Sequence, residues 1–283
     1  MAPGTNPRAG WWRVETGRPG LHEAKPRANR DGGDEGTLRD RRRRKATSLL
    51  RVGRVSHIPP ADALSEEPNL LFKDRVDAGK KLATALEKYR GEDIVVLGIP
   101  RGGVVVANEV AKALGARLDV VVTRKIGAPG EPEYALGAVT QEGDVIMDRH
   151  SAESLGATPQ YLGDQVRKKR EEVKERMERF RGDAPYPELR GKLVVIVDDG
   201  IATGSSVEAA VMSVKRRNPS DVVVAVPVAP REAIEALREH GTKVICLETP
   251  GVFFAIGEFY GDFGQVEDLE VRRILDENSR DRE

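Results

Sequence analysis

Residues 192–218 read KLVVIVDDGIATGSSVEAAVMSVKRRN, and this stretch decides the fold of the chain. Its apolar run Leu193–Val197 predicts a strand that is buried on both faces. Two acids, Asp198 and Asp199, follow at the carboxyl end of that strand. A short segment of small residues then leads into a predicted helix over residues 207–217.

This order of elements has a chemical meaning. Glycine and serine let the backbone approach a ligand closely, and the unpaired N–H groups at a helix start bind a phosphate dianion. The hydroxyls of Thr203, Ser205 and Ser206 offer further donors. Two carboxylates beside an anion site would repel a bare phosphate, so they must face sugar hydroxyls, a metal, or both. A phosphorylated sugar satisfies both requirements.

The stretch resembles the 5-phosphoribosyl 1-diphosphate (PRPP) signature of the type I phosphoribosyltransferases. The resemblance implies that the ribose 5′-phosphate is held by Ala202, Thr203, Gly204, Ser205 and Ser206. It also implies that Asp198 and Asp199 hold the ribose hydroxyls and, indirectly, a PRPP-bound Mg²⁺. The alternative is a solvated turn, since adjacent acids and Gly-Ser loops are common. Neither a Walker A loop nor a Gly-x-Gly-x-x-Gly fingerprint is present.

A second glycine-rich turn follows an earlier strand. Residues 94–99 predict a buried strand, and Arg101, Gly102 and Gly103 then precede a helix over residues 104–114. Two glycines let the backbone reach an anion, and an arginine adds a forked cation. In the family that the chain resembles, such a loop contacts the pyrophosphate of PRPP. A tight turn with a surface arginine is the competing interpretation.

The next segment is rich in glycine and proline. After a strand predicted at residues 118–123, residues 124–134 carry two cations at their start and are typical of a mobile cover. The resemblance implies that Arg124 or Lys125 neutralises pyrophosphate, and Lys125 is assigned a catalytic role. A solvated loop remains the alternative. A hairpin turning at Glu142, Gly143 and Asp144 is predicted next.

Residues 161–181 predict a charged helix with a thin apolar stripe at Val166, Val173, Met177 and Phe180. The pairs Glu172 with Arg176 and Glu175 with Arg179 support it locally. A narrow stripe implies docking on the body of the protein or on a second subunit, so a homodimer is left open.

The alternation of strands and helices predicts an α/β fold, an open and mostly parallel sheet flanked by helices, Rossmann-like and of the type I phosphoribosyltransferase kind. Ligands of such sheets bind beyond the carboxyl ends of the strands. The predicted divisions are a disordered basic extension at residues 1–66, a phosphoribosyltransferase domain at 67–283, an insertion at 150–190 and an aromatic-rich hood at 249–266.

Composition narrows the classes of protein. The 283 residues carry 46 basic and 46 acidic side chains, a net charge of +0. The basic extension could bind nucleic acid, but no interleaved aromatics and no helical stripe accompany its charge, so this partner is not favoured. The single cysteine, Cys246, lies in an apolar run and excludes a disulfide within the chain. With no apolar run of membrane length, these features favour a cytoplasmic protein without a membrane partner.

The function predicted from these features is transfer of a 5-phosphoribosyl group from PRPP to a nitrogen acceptor, a nucleobase in the first instance, with Mg²⁺ and release of pyrophosphate. The alternative is a non-catalytic PRPP sensor with the same fold. A hydrolase has little support, because the four histidines have no zinc spacing and no nucleophile elbow is present.

Overall fold

The computed structural model describes residues 11–13, 70–182, 184–239 and 241–280. The strands of this part are β1 Trp11–Arg13, β2 Ile94–Gly98, β3 Arg117–Val120, β4 Arg124–Ala128, β5 Glu131–Val139, β6 Val145–Asp148, β7 Leu193–Val197, β8 Asp221–Val228 and β9 Lys243–Glu248. The α-helices are α1 Arg75–Leu86, α2 Gly102–Leu114, α3 Arg149–Ser154, α4 Pro159–Arg181, α5 Ser205–Lys215, α6 Arg231–Glu239 and α7 Asp268–Arg280. Short 3-10 helices lie at Glu87–Tyr89 and Ile256–Phe259.

Five strands form a parallel sheet in the order β3-β2-β7-β8-β9. Every residue of β2 and β7 is buried, as their apolar runs predict for strands covered on both faces. Helices α5 and α6 pack on the face that presents Val194 and Ile196. Helices α1, α2, α4 and α7 cover the face that presents Val195. The predicted fold class, an open parallel sheet between two layers of helices, is confirmed.

A second sheet is antiparallel, in the order β1-β6-β5-β4. The predicted hairpin between β5 and β6 is confirmed, and the Thr140 N–H donates to the Asp144 carbonyl at 2.9 Å in its turn. The segment at residues 124–134, predicted to be a mobile cover, contains paired strands, since β4 and β5 pair across it, and its closure over a ligand stays a prediction. Buried Ile126 and Ala128 alternate with less buried residues along β4 and anchor the strand.

The short strand β1 pairs with β6 and places Trp12 opposite Met147. It completes the edge that β6 would otherwise leave unpaired. The disorder predicted for residues 1–66 therefore does not extend to these three residues. The rest of that predicted extension lies outside the described residues.

Helix α4 docks on the body of the protein. Val173 and Phe180 are buried in the larger core cluster, as their spacing predicts. At the end of the helix, Arg181 donates to both carboxylate oxygens of Asp119, at 2.7 and 3.1 Å, and both side chains are almost wholly buried. Near its start, the Tyr161 hydroxyl donates to the Gly127 carbonyl at 3.0 Å. The insertion is therefore part of the folded body, while a homodimer stays a prediction.

Of the helices in the described residues, none is both long and apolar enough to cross a bilayer. The longest, α4, has 23 residues and is dominated by charged side chains.

Candidate active site

The two acids lie where the central strand of the parallel sheet ends. Strand β7 runs between β2 and β8, so its carboxyl end opens at the middle of the sheet. Asp198 is partly buried and Asp199 is 9% exposed. The sequence prediction that both acids stand at this edge is confirmed by their position.

Asp199 is held by residues that are distant in sequence. Arg75, in the first turn of α1, donates its Nε–H to Asp199 Oδ2 at 2.7 Å, and its Nη1 donates to the Gly264 carbonyl at 2.7 Å. The same guanidinium lies 3.8 Å from the ring centroid of Phe263, a cation–π distance. The Tyr260 hydroxyl donates to the Asp199 carbonyl at 2.5 Å. Asp199 is therefore fixed by both α1 and the C-terminal segment.

Opposing effects act on the pKa of the Asp198 carboxyl group. Its Oδ1 accepts a hydrogen bond from the Asp199 N–H at 2.9 Å. Burial raises the pKa of Asp198 well above its ordinary value, and the neighbouring Asp199 carboxylate raises it further. The charge of Arg75 acts in the opposite direction but is the smaller effect. Asp198 therefore retains its proton more readily than a solvated aspartate would.

The Arg101-Gly102-Gly103 turn packs directly against the acids. A Cβ at Gly102 would lie 1.9 Å from Asp199 Oδ2, and one at Gly103 would lie 2.7 Å from Asp198 Oδ1. Only glycine permits so close an approach of the backbone to the carboxylates. The peptide bond between Pro100 and Arg101 is cis. The sequence thus predicted two loops, and the structure brings them into contact.

The Arg101 side chain contacts the start of α7. Its Nη1 lies 3.5 Å from Asp268 Oδ1, at the start of α7, and the side chain is one-third exposed. Because this contact is long and partly solvated, the guanidinium can exchange Asp268 for another anion at small cost.

The small-residue loop after the acids forms an open anion cradle. Gly204 is the N-cap of α5 with φ of 81°, a left-handed conformation that favours glycine, and no side chain caps the helix. The first-turn N–H groups of α5 therefore lack an intrahelical acceptor. A cavity of about 170 Å³ opens here and is lined by Asp198, Gly200, Ile201, Ala202, Thr203, Gly204, Ser206, Val207 and Ile256. The Thr203 and Ser205 hydroxyls lie 3.3 Å apart beside it.

Larger cavities occur at other places on the surface. One of about 460 Å³ lies beside Asp119 and Arg181, where the two buried charges already satisfy each other. The cradle is smaller, but it is lined by Asp198 and adjoins the uncapped helix start. We therefore place the candidate site at the cradle.

Lys125 lies on β4, opposite Ala138 in the register. Side chains alternate along a strand, so Lys125 leaves the sheet on the face opposite to Arg124 and Ile126. Of the two cations predicted as alternatives for the pyrophosphate, each therefore projects from a different face of the strand. The catalytic role of Lys125 stays a prediction.

The aromatic residues of the predicted hood divide into two groups. Phe259 and Tyr260 are buried in a small cluster with Phe72, and Phe253 packs 5.2 Å from Phe259 between ring centroids. Phe254, in contrast, is 82% exposed. Most of the segment is therefore a core for the C-terminal lobe, and one aromatic side chain projects from it.

The donor set at the acids fits Mg²⁺ held through a ligand. Among the described residues, no three or more His, Cys, Asp or Glu side chains gather as a metal cage. Asp198 and Asp199 supply two adjacent carboxyl groups beside an anion cradle. Mg²⁺ is usually bound by one or two carboxylates together with water and substrate phosphates, so these residues fit that mode.

Comparisons with known proteins find relatives of this chain both by sequence and by structure. The phosphoribosyl transferase domain model matches residues 72–262. Over 211 residues the chain is 42% identical to a protein named "Putative phosphoribosyl transferase" in two strains of Mycobacterium tuberculosis, covering 75% of this chain and 48% of the relative. The chain spans about half the length of these curated relatives. The crystal structure of TT1426 from Thermus thermophilus is similar, with a TM-score of 0.69 and 47% identity, covering 74% of this chain and 99% of that one.

Proposed function

The chain belongs to the phosphoribosyl transferase domain family, and from this we propose that it transfers a 5-phosphoribosyl group from PRPP to a nitrogen acceptor, with release of pyrophosphate. One observation carries the proposal. An uncapped helix start, a pair of carboxyl groups and a glycine turn in contact with those carboxyl groups meet at the carboxyl edge of one parallel sheet. Each group has a counterpart in PRPP.

The 5′-phosphate fits the cradle at the start of α5. The backbone N–H groups of residues 202–206 and the hydroxyls of Thr203, Ser205 and Ser206 would donate to its oxygens. The dianion also lies at the positive end of the α5 dipole, which favours negative charge. This end of the ligand supplies binding energy and holds the ribose in register with the acids.

The ribose hydroxyls fit against Asp198 and Asp199. Carboxylates accept hydrogen bonds from both hydroxyls and place negative charge near the sugar ring. We propose that Mg²⁺ accompanies PRPP here and neutralises charge on its diphosphate oxygens. Arg75 keeps the Asp199 carboxylate in place, since its Nε–H bond and its stacking on Phe263 fix both partners.

The leaving group fits the Arg101-Gly102-Gly103 turn. As the bond from C1 of ribose to the diphosphate oxygen lengthens, positive charge develops on the sugar and negative charge on the diphosphate. Paired carboxylates and a nearby guanidinium stabilise these two charges in a preorganised site. No protein nucleophile takes part, because the acceptor nitrogen attacks C1.

For the acceptor, we propose a planar nitrogen base that meets the C-terminal lobe. Phe254 is exposed, and Ile256, two residues later, lines the cradle. An aromatic face at this place would stack on a base and contribute about 0.5–1.5 kcal/mol beyond area burial. The domain proposed at residues 67–283 would contain all of these groups. We propose the cytoplasm as its compartment, in keeping with a single cysteine.

The test is calorimetric titration of the full chain with PRPP and Mg²⁺, followed by a pyrophosphate-release assay across purines, pyrimidines and other nitrogen acceptors. Saturable binding with release is expected. Asp199→Asn should abolish release. Asp93→Asn is the matched control, because Asp93 pairs with Lys192 at the amino ends of β2 and β7, away from the candidate site. Binding without release from any acceptor would favour the sensor, and no PRPP binding would refute both functions.

A further inference from the structure

Helix α4 carries a charged stripe beside the apolar stripe that docks it. The stripe consists of Lys169, Glu172, Arg176 and Arg179, at spacings of three and four residues along one face. It faces two other elements. Arg124 at the start of β4 reaches Glu172, and Asp268 at the start of α7 reaches Arg179.

Two acids of this cluster are each shared by two cations. Glu172 Oε1 lies 2.9 Å from Lys169 Nζ, and Glu172 Oε2 lies 3.3 Å from Arg124 Nε. Asp268 is shared between Arg101 and Arg179, and both distances, 3.5 and 3.4 Å, are long for charged partners. The predicted pair of Glu172 with Arg176 is therefore wrong, because Glu172 is already engaged.

Arg176 is the fifth cation of the cluster. In the part of the chain that the structure describes, no side chain forms a hydrogen bond or ion pair with it, although the residue is partly buried. Burial lowers the pKa of Arg176, and the charge of Arg124 lowers it further, while Asp268 acts in the opposite direction and Arg101 adds to the lowering. With Glu175, which lies 3.8 Å from Arg179, the cluster holds five cations and three acids, and a local surplus of positive charge remains. A polyanion would relieve this repulsion.

The cluster adjoins the glycine turn through Arg101. That residue belongs to the turn that contacts the paired acids and, through Asp268, also to the cluster on α4. A ligand bound against the turn would thus also meet the surplus charge of the cluster. The long Arg101–Asp268 and Arg179–Asp268 contacts are ones that phosphate oxygens can replace.

We propose that Arg176, supplied by the inserted helix α4, binds the diphosphate leaving group of PRPP together with Arg101 and Arg124. This inference rests on the proposed function. In that reaction the bond from C1 to the diphosphate oxygen breaks, and its electron pair leaves with the diphosphate. The lone pair of the acceptor nitrogen forms the new bond to C1, and the nitrogen releases its proton to solvent. Arg176 holds the diphosphate while its negative charge increases.

The experiment compares two ligands on the full chain by calorimetry with Mg²⁺ present: inorganic pyrophosphate and ribose 5-phosphate. Arg176→Gln should weaken pyrophosphate binding by at least about tenfold, the effect of losing one charge-assisted contact. Ribose 5-phosphate binding should change by less than about twofold, because that ligand ends before the cluster. Arg176→Lys should recover part of the loss, since it keeps the charge but not the fork.

The matched control is Lys174→Gln, which removes an exposed cation from another face of the same helix. It should leave both affinities unchanged. Unaltered pyrophosphate binding in folded Arg176→Gln, or an equal loss for both ligands, would overturn the inference while leaving the proposed function in place. If wild-type protein bound neither PRPP nor ribose 5-phosphate, the proposed function itself would fail. Thermal unfolding of each variant separates misfolding from loss of contact, and Arg176→Lys decides the matter if the glutamine variant does not fold.

Discussion

Replacing Asp198 with asparagine should stabilise the protein while impairing its function. The change removes a carboxyl group whose pKa is raised by burial and by the adjacent Asp199. Asparagine keeps the shape, and its Oδ1 can still accept the hydrogen bond that the Asp199 N–H donates to the aspartate at 2.9 Å. The variant therefore isolates the cost of placing two carboxyl groups side by side.

The expected gain depends on pH, and its sign follows from the raised pKa. Below about pH 3.8, the ordinary pKa of an aspartate, Asp198 is protonated in both the folded and the unfolded chain and does not lower the free energy of unfolding. As the pH rises, the unfolded chain ionises first, so the folded state loses stability until Asp198 itself ionises. Each pKa unit of displacement corresponds to about 1.4 kcal/mol. Relieving a strained active-site group typically gives about 0.5–2 kcal/mol, or about 1–8 °C in Tm for a domain of this size.

The assay is calorimetric unfolding of wild type and Asp198→Asn at pH 4 and pH 8, with pyrophosphate release measured at pH 8. The variant should gain stability at pH 8 and much less at pH 4, while turnover falls on the order of 10²-fold. Asp93→Asn, which removes an exposed carboxylate, is the control and should show no such gain. An equal gain at both pH values, or none at pH 8, would refute the reasoning.

Two further changes probe the same acids. Arg75→Gln removes a cation that lowers the pKa of Asp198, so the acid limb of the pH dependence of kcat/KM should move to higher pH; an unmoved limb would show that Arg75 is only structural. Gly102→Ala places a Cβ 1.9 Å from Asp199 Oδ2 and should cost about 1–3 kcal/mol of unfolding free energy and most of the PRPP affinity. The Cβ added by Gly163→Ala on α4 meets no atom within 4 Å, so this variant should instead stabilise the protein by about 0.5–1 kcal/mol. The unfolding midpoints of the two glycine variants test this difference.

Local sequence patterns predicted the parts of the site that are local in the chain. The apolar run before Asp198 and the small residues before α5 specify a strand and an uncapped helix start within about 20 positions. Arg75, in contrast, lies 124 positions from Asp199, and nothing in the helix that carries it distinguishes it from other surface cations. Tyr260 lies in a segment that the sequence marks only as rich in aromatic residues. Partners of this kind are set by tertiary packing and leave no local signal.

The same reasoning explains why the local pattern gave no sign of the β4–β5 pairing and gave a wrong partner on α4. Glycine and proline around β4 favour a loop locally, but pairing with β5 and burial of Ile126 override that preference. On α4, the pair Glu175–Arg179 forms as its spacing predicts, at 3.8 Å. Glu172 instead forms an ion pair with Arg124, which lies on β4. Spacing within a helix states which pairs can form, and neighbouring elements decide which ones do.

The two anchors of α4 give the helix a mechanical role. Its 23 residues span about 34 Å. Near one end Tyr161 is bonded to Gly127 on the β4–β5 hairpin, and at the other Arg181 is locked to Asp119 on β3, an outer strand of the parallel sheet. The helix is thus a strut between the two sheets. If an arriving ligand displaced the hairpin, helix α4 would transmit that displacement to β3. Slowed amide exchange in β3 would therefore report ligand binding at the distant hairpin.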